Sequence, residues 1–327
     1  MTSESDCELR AAAALRRIAL NEDVKAYILQ NSSLYRVLLR AALRFIGGET
    51  LPQCIEVARA LNARGFATTI DYMGESTRTA AMAEHATREF STVIRTIAAQ
   101  KLNSSVSLDL SHIGMAIDAD LAYDNASFLA QEARDTSIEI MISMEGMDRT
   151  TTILAIHQRL CERFENVGLT LQAYLYRTPD DLAEVLKRPG KIRLVKGAYE
   201  APTHLARSRG EILDTAYRGF VETVLRTGHA LSIATHDPLL LDHAHGFAQA
   251  RNLQRDHIEF EMLKGITPAR LQTMHDLGYR TRVYLPYGQE WYLYLCNRLA
   301  EYPANIYHAI ADAVGGEGAG SKLAKKI

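Results

Sequence analysis

Ile138-Glu139-Ile140-Met141-Ile142-Ser143-Met144, the amphipathic segment Thr151–Phe164, and Val167-Gly168-Leu169-Thr170-Leu171-Gln172-Ala173-Tyr174 together decide the fold. The outer two are short apolar runs of strand length. The middle one places Ile153, Ile156, Leu160 and Phe164 at helical spacing. Strand, helix and strand in that order, without a hairpin turn between the strands, read as one parallel β/α unit.

Outward from this unit the pattern repeats. Phe66–Tyr72, Val106–Leu110, Ile192–Val195, Ala230–Thr235, Ile258–Met262 and Arg280–Tyr284 are further strand candidates. Thr79–Ala98, Asn125–Ala133, Pro179–Lys187, Leu213–Thr227, Pro238–Ala250 and Pro268–Leu277 are the helical segments between and after them. The repeat region covers about 260 residues, close to the roughly 250 of a (β/α)8 barrel. No Gly-x-Gly-x-x-Gly follows the first strand, which argues against a doubly wound dinucleotide-binding sheet. The fold class expected is therefore α/β, a (β/α)8 TIM-type barrel over residues 65–310. A helical arm over 1–64 precedes it, and a Gly/Lys-containing flexible tail over 311–327 follows it.

The chain has 327 residues, 47% of them apolar and 23% charged, with a formal net charge of −2. That balance gives no electrostatic reason to expect nucleic acid or an anionic membrane as partner. Cys7, Cys54, Cys161 and Cys296 lack metal-ligand spacing, so no metal site is expected. No apolar run is long enough for an integral membrane segment, and the polar, acidic start does not resemble a secretory leader. A cytoplasmic protein is the expectation.

In such barrels, chemistry sits at the C-terminal strand ends. Asp71, Glu75, Asp109, His112, Ser143, Glu145, Gln172, Tyr174, Arg193, Lys196, Thr235, His236, Glu261, Lys264 and Tyr284 occupy those ends. After the last strand, Tyr284-Leu285-Pro286-Tyr287-Gly288 reads as a strand end and a Pro-Gly turn. The following helix sets Tyr294, Asn297, Arg298 and Glu301 on one face. A phenol, an amide, a guanidinium and a carboxylate side by side form a small-molecule clamp. The same spacing also fits a solvated face where Arg298 and Glu301 merely pair.

Five segments stand in order: Asp71-Tyr72-Met73-Gly74-Glu75, Leu171-Gln172-Ala173-Tyr174-Leu175, Arg193-Leu194-Val195-Lys196-Gly197-Ala198-Tyr199, Ile233-Ala234-Thr235-His236-Asp237, and Tyr284–Glu301 continuing to Tyr302-Pro303-Ala304-Asn305. Together they resemble the proline dehydrogenase family. The resemblance implies a barrel that binds FAD noncovalently and takes hydride from the carbon beside a ring nitrogen. It implies flavin contacts at Gln172, Arg193, Lys196, Gly197, Ala198, Tyr199, Thr235 and His236. It implies a substrate wall of Leu194, Tyr284, Tyr294, Arg298 and Glu301.

Several positions depart from the family pattern. Asn297 stands for the first of two consecutive arginines, Asp109 for a lysine and Ser143 for an aspartate. Glu261 stands for a glutamine and Lys264 for a tyrosine. Over 109, 143 and 297 the formal charge changes from about +1 to about −1, worth several kcal/mol against a small anion in a confined site. One lost arginine–carboxylate contact costs about 1.5–3 kcal/mol.

The reading is an FAD-dependent oxidoreductase acting on CH–NH groups of a small amine or amino acid other than free proline, with an unidentified electron acceptor. Arg193, Tyr284 and Asp109 are the candidate catalytic residues, Asp109 as amine anchor, base or partner of Arg298. Arg298, Asn297, Tyr294, Glu301, Leu194 and Ser143 are the candidate substrate contacts. The alternatives are a genuine L-proline dehydrogenase giving 1-pyrroline-5-carboxylate, a Schiff-base enzyme using Lys196, and a noncatalytic flavin-binding or interaction barrel.

Overall fold

The computed structural model describes residues 4–74, 76–302 and 304–314. The strand-end candidate Glu75, Pro303 and the tail from 315 onward lie outside the described residues.

Eight parallel strands close into a barrel in sequence order. They are β1 (Ala67–Tyr72), β2 (Ser104–Leu108), β3 (Ile140–Ile142), β4 (Val167–Gln172), β5 (Ile192–Val195), β6 (Leu231–Ala234), β7 (Ile258–Leu263) and β8 (Arg280–Tyr287). β8 pairs with both β7 and β1, which closes the ring and leaves no sheet edge.

Among the described residues four helices precede the barrel: α1 (Glu4–Ala19), α2 (Glu22–Gln30), α3 (Ser32–Ala42) and α4 (Leu51–Asn62). The inter-strand helices are α5 (Ala80–Gln100), α6 (Ala119–Asp135), α7 (Thr150–Cys161), α8 (Thr178–Val185), α9 (Glu211–Thr227), α10 (Pro238–Ala250) and α11 (Pro268–Asp276). After β8 come α12 (Trp291–Glu301) and α13 (Ala304–Val314). Local chemistry fixes several helix starts. Pro52, Pro179, Pro238 and Pro268 sit in first turns, where the missing N–H costs nothing. Thr79, Asp118 and Asp237 accept a backbone N–H from the first turn.

Alternation along the strands sorts the two faces. Ile70, Val106, Leu108, Ile142, Leu169, Leu194, Ile233, Phe260 and Leu285 join the apolar layer formed with the helices. The residues between them are polar and fill the barrel: Thr69, Ser105, Ser107, Thr170, Arg193, Ser232, Glu259, Glu261 and Arg282 are all buried. Toward the N-terminal ends, Arg282 Nε donates to Glu259 across 2.9 Å, and Lys191 reaches Glu259 and Glu139, each at 3.1 Å. Burial would push the Glu259 carboxyl up, but Arg282 and Lys191 pull it down to about 2.

Three boundaries differ from the sequence reading. α4 is part of the barrel's main core through Cys54, Ile55 and Ala58, so the separate arm is α1–α3. β8 continues through Pro286 to Tyr287 instead of turning at the proline. β7 ends opposite Tyr284, and beyond it Gly47 N donates to the Pro286 carbonyl at 2.7 Å, so the proline is used there as an acceptor and its missing N–H leaves the β7 ladder intact. The segment expected as a tail from 311 begins inside α13, where Asp312 pairs with Arg44 at 2.6 Å.

The arm and the C-terminal helices share a second apolar cluster built from Ala42, Phe45, Ile46, Trp291, Leu295 and Ala309. α1 packs on α12 and α3 on α13. Lys25 pairs with Glu290 at 2.6 Å, at the start of α12. The arm therefore buttresses the helix that carries Tyr294, Asn297, Arg298 and Glu301. Among the described residues no helix is long and apolar enough to cross a membrane.

Candidate active site

The C-terminal ends of β1, β5, β6 and β8 converge with α12 on one group of polar side chains. Arg193 projects from β5 into the barrel. Its Nε donates to Thr170 Oγ1 at 2.9 Å, and its Nη2 to Ser107 Oγ at 3.1 Å and Ser143 Oγ at 3.3 Å. Its guanidinium carbon lies 5.2 Å from the centre of the Tyr284 ring. The Tyr284 hydroxyl donates to Asp71 at 2.9 Å. Burial pushes the Asp71 carboxyl up to about 6, opposed by the Tyr284 hydrogen bond and the Arg193 charge. Burial, then Asp71, drive the Tyr284 phenol well above its ordinary range, and Asp109 adds to the same field.

On α12, Arg298 Nη2 donates to Glu301 at 2.6 Å, and its guanidinium carbon lies 5.0 Å from the Tyr294 ring centre. Arg298 is mostly buried and Glu301 more open, with side-chain exposures of 13% and 37%. Burial pushes the Tyr294 phenol up to about 12. His236, at the end of β6, is held down at about 4 by burial and by the Arg298 charge, so it is a neutral imidazole at physiological pH. Tyr294, Arg298 and Glu301 share one side of α12, with Asn297 half-buried beside Arg298 on the same helix.

Four buried polar atoms of this group have no hydrogen-bond partner: Arg193 Nη1, His236 Nδ1, Tyr294 Oη and Arg298 Nε. Each such atom costs about 1–3 kcal/mol if nothing pairs with it. The protein itself supplies none of these four with a partner.

Other sequence candidates serve differently. Leu194 is fully buried on the strand face opposite Arg193, in the apolar layer, and so stands behind the pocket wall. Lys196 Nζ is held by Asp214 at 2.6 Å and Asp237 at 2.8 Å, in a cluster with more negative than positive charge. Gln172 Nε2 donates to the Glu145 carbonyl at 3.0 Å, which ties the ends of β4 and β3 together. Thr235 Oγ1 accepts from Asp237 N at 3.2 Å. Gly197 has φ +115°, and a Cβ there would lie 2.2 Å from the Tyr174 ring, so only glycine fits. Ala198 and Tyr199 follow on an exposed loop.

Two of the departures have neighbours of their own. Lys264 Nζ turns to the arm and donates to the carbonyls of Leu43 at 2.6 Å and Arg44 at 3.0 Å, at the C-terminal end of α3. Glu261 lies inside the barrel, 3.6 Å from Arg193 Nη1. In the sequence Asp71 and Glu261 are strand-end acids with no local signal for a role. Only the closed ring reveals that they face Tyr284 and Arg193.

A family model described as proline dehydrogenase matches residues 54–307. Proline dehydrogenase 2 of Bacillus subtilis (strain 168) is 38% identical over 269 residues, 82% of this chain and 89% of the relative. Proline dehydrogenase of Deinococcus radiodurans is 33% identical over 280 residues, 84% of this chain and 90% of the relative. The solved structure of proline utilization A (PutA) from Bdellovibrio bacteriovorus inactivated by N-propargylglycine superposes with a TM-score of 0.76 at 18% identity. The superposition covers 93% of this chain and 41% of that longer one, a likeness of fold. By the family match and the two sequence relatives, the chain belongs to the proline dehydrogenase family of oxidoreductases acting on CH–NH groups.

Proposed function

We propose that the chain is an FAD-dependent dehydrogenase that oxidises a C–N single bond of a small amino acid to C=N, and that free L-proline is a poor substrate for it. The observation that carries the reading is the set of four unpartnered buried polar atoms on β5, β6 and α12. The residues present fit FAD. Arg193 offers a buried cationic donor, His236 a neutral ring nitrogen, and Gly197 a backbone without a side chain in the way. Bound FAD would supply the hydride acceptor. The protein's part is to orient and to set charge.

Arg193 would place positive charge where the flavin gains electrons. Arg298 would receive the substrate carboxylate, with Tyr284 and Tyr294 as walls. Glu301 already engages one Arg298 nitrogen, and Asn297 supplies no second guanidinium, so the grip on a carboxylate is weaker than a two-arginine clamp. Asp109 adds negative charge near the Tyr284 hydroxyl, a setting that favours a cationic amine.

A second reading, L-proline dehydrogenase proper, is favoured by the relatives of that name and by one structural point. Lys264 and Glu261 are engaged with α3 and Arg193, so the differences bearing on the substrate reduce chiefly to Asp109 and Asn297. The two readings separate in one comparison. The FAD-loaded protein is assayed with an artificial acceptor on L-proline, other cyclic amino acids and N-alkyl amino acids. A kcat/KM at least tenfold higher on one of the others supports our proposal. L-proline as the best substrate supports the second reading. A protein that takes up no FAD overturns both.

A further inference from the structure

Arg193 is 4% exposed, and its guanidinium is hydrogen-bonded by the hydroxyl groups of Thr170, Ser107 and Ser143. Those groups hydrogen-bond it but carry no charge. Its ion-pair partner is Glu261, on β7, with Oε1 at 3.6 Å from Nη1. That separation neutralises charge without using the Nη1 donor, which stays unpartnered. Glu261 cannot easily swing closer. Thr69 Oγ1 donates to its Oε1 at 2.8 Å and Ser232 Oγ to its Oε2 at 2.7 Å, so β1 and β6 hold the carboxylate from both sides.

We propose that Glu261 is a positioning residue for the redox step. It fixes the Arg193 guanidinium and limits how much of its positive charge reaches the cofactor, while leaving Nη1 available. The inference rests on the flavin reading above. It also accounts for two departures as one exchange. Where the family pattern has aspartate on β3 and glutamine on β7, this chain has Ser143 and Glu261. Ser143 and Glu261 both contact Arg193, from different sides of the barrel. The acid has moved across the barrel, and a carboxylate still faces the Arg193 guanidinium.

The test compares wild type, E261Q, S143D and E261Q/S143D. The first readout, on apoprotein, is thermal unfolding. E261Q leaves a buried guanidinium without its ion-pair partner and melts below wild type; adding S143D restores most of the loss. The second readout, on FAD-loaded protein, is the flavin midpoint potential. With the carboxylate gone, Arg193 favours reduced flavin more strongly. The reduced-to-oxidised ratio at fixed solution potential then rises about tenfold, or about 30 mV for a two-electron couple. E261Q/S143D returns toward wild type, and S143D alone shifts the ratio the other way.

An unchanged potential in E261Q overturns the proposal, even if its melting temperature falls, because that pattern marks a purely structural acid. Failure of S143D to rescue both readouts overturns the exchange. Uptake of FAD by wild type is scored separately, so failure of the flavin reading is not mistaken for failure of the Glu261 assignment.

Discussion

The Tyr284 hydroxyl donates a 2.9 Å hydrogen bond to Asp71, joining the C-terminal ends of β8 and β1 at the point where the barrel closes. Burial dominates the balance at Asp71 and pushes its carboxyl up to about 6. A raised carboxyl favours the protonated form in the folded state. Its contribution to stability is therefore complete below the unfolded value near 4 and lost as pH rises through about 6. We expect D71N, which keeps an acceptor for Tyr284, to be more stable than wild type as apoprotein at pH 7–8, by about 1–3 kcal/mol. The two should converge near pH 4. Urea titrations at both pH values measure this; an equal or lower stability of D71N at pH 8 contradicts it.

At the opposite end of the barrel the sign reverses. Glu259 is held down at about 2 by Arg282 and Lys191 despite its burial. A depressed carboxyl contributes stability above its unfolded value, and that contribution is lost as pH falls from about 4.5 through 2. E259Q leaves Arg282 and Lys191 without this carboxylate and should cost about 3–5 kcal/mol at pH 7. Its deficit should shrink steadily on acidification. A deficit independent of pH would mean that packing, not charge, is what Glu259 provides.

These two pairs mark where the sequence was legible and where it was not. Strand order followed from periodicity and from family-like segments in order. Pro286 misled because a proline normally ends a strand. Its tolerance depends on β7 stopping opposite Tyr284, which no local pattern encodes. Lys264 and Glu261 looked like pocket changes because both lie at one strand's end. Whether each faces α3 or Arg193 depends on barrel closure and on the arm's docking, which are long-range facts. Leu194 was assigned to the wall by its motif, whereas strand alternation, once Arg193 points inward, turns it to the helices.

Asn297 offers a gain-of-function test. N297R restores a second guanidinium beside Arg298. It should lower the dissociation constant for L-proline by about tenfold, in line with one charge-assisted hydrogen bond. Flavin-perturbation titrations on FAD-loaded wild type and N297R measure it. No tightening would show that residue 297 does not limit the carboxylate grip.

Gly197 tests the loop after β5. A side chain there meets both a positive φ and the Tyr174 ring. G197A should weaken FAD binding by about tenfold or more through a strain of 1–3 kcal/mol in the loop. The apoprotein's melting temperature should fall as well, because the added Cβ meets Tyr174, a member of the main apolar core. Fluorescence titration with FAD and apoprotein melting separate the two effects. A large melting loss with unchanged FAD affinity would place Gly197 in folding alone.

The central claim is that this barrel mouth holds FAD beside a small amino acid other than proline. The most direct measurement is anaerobic mixing of the FAD-loaded protein with single amino acids while following the visible flavin band. Our reading predicts bleaching by a cyclic or N-substituted amino acid that saturates at lower concentration than L-proline, with L-proline slow or silent. Rapid, saturable bleaching by L-proline with none of the others doing better would contradict it.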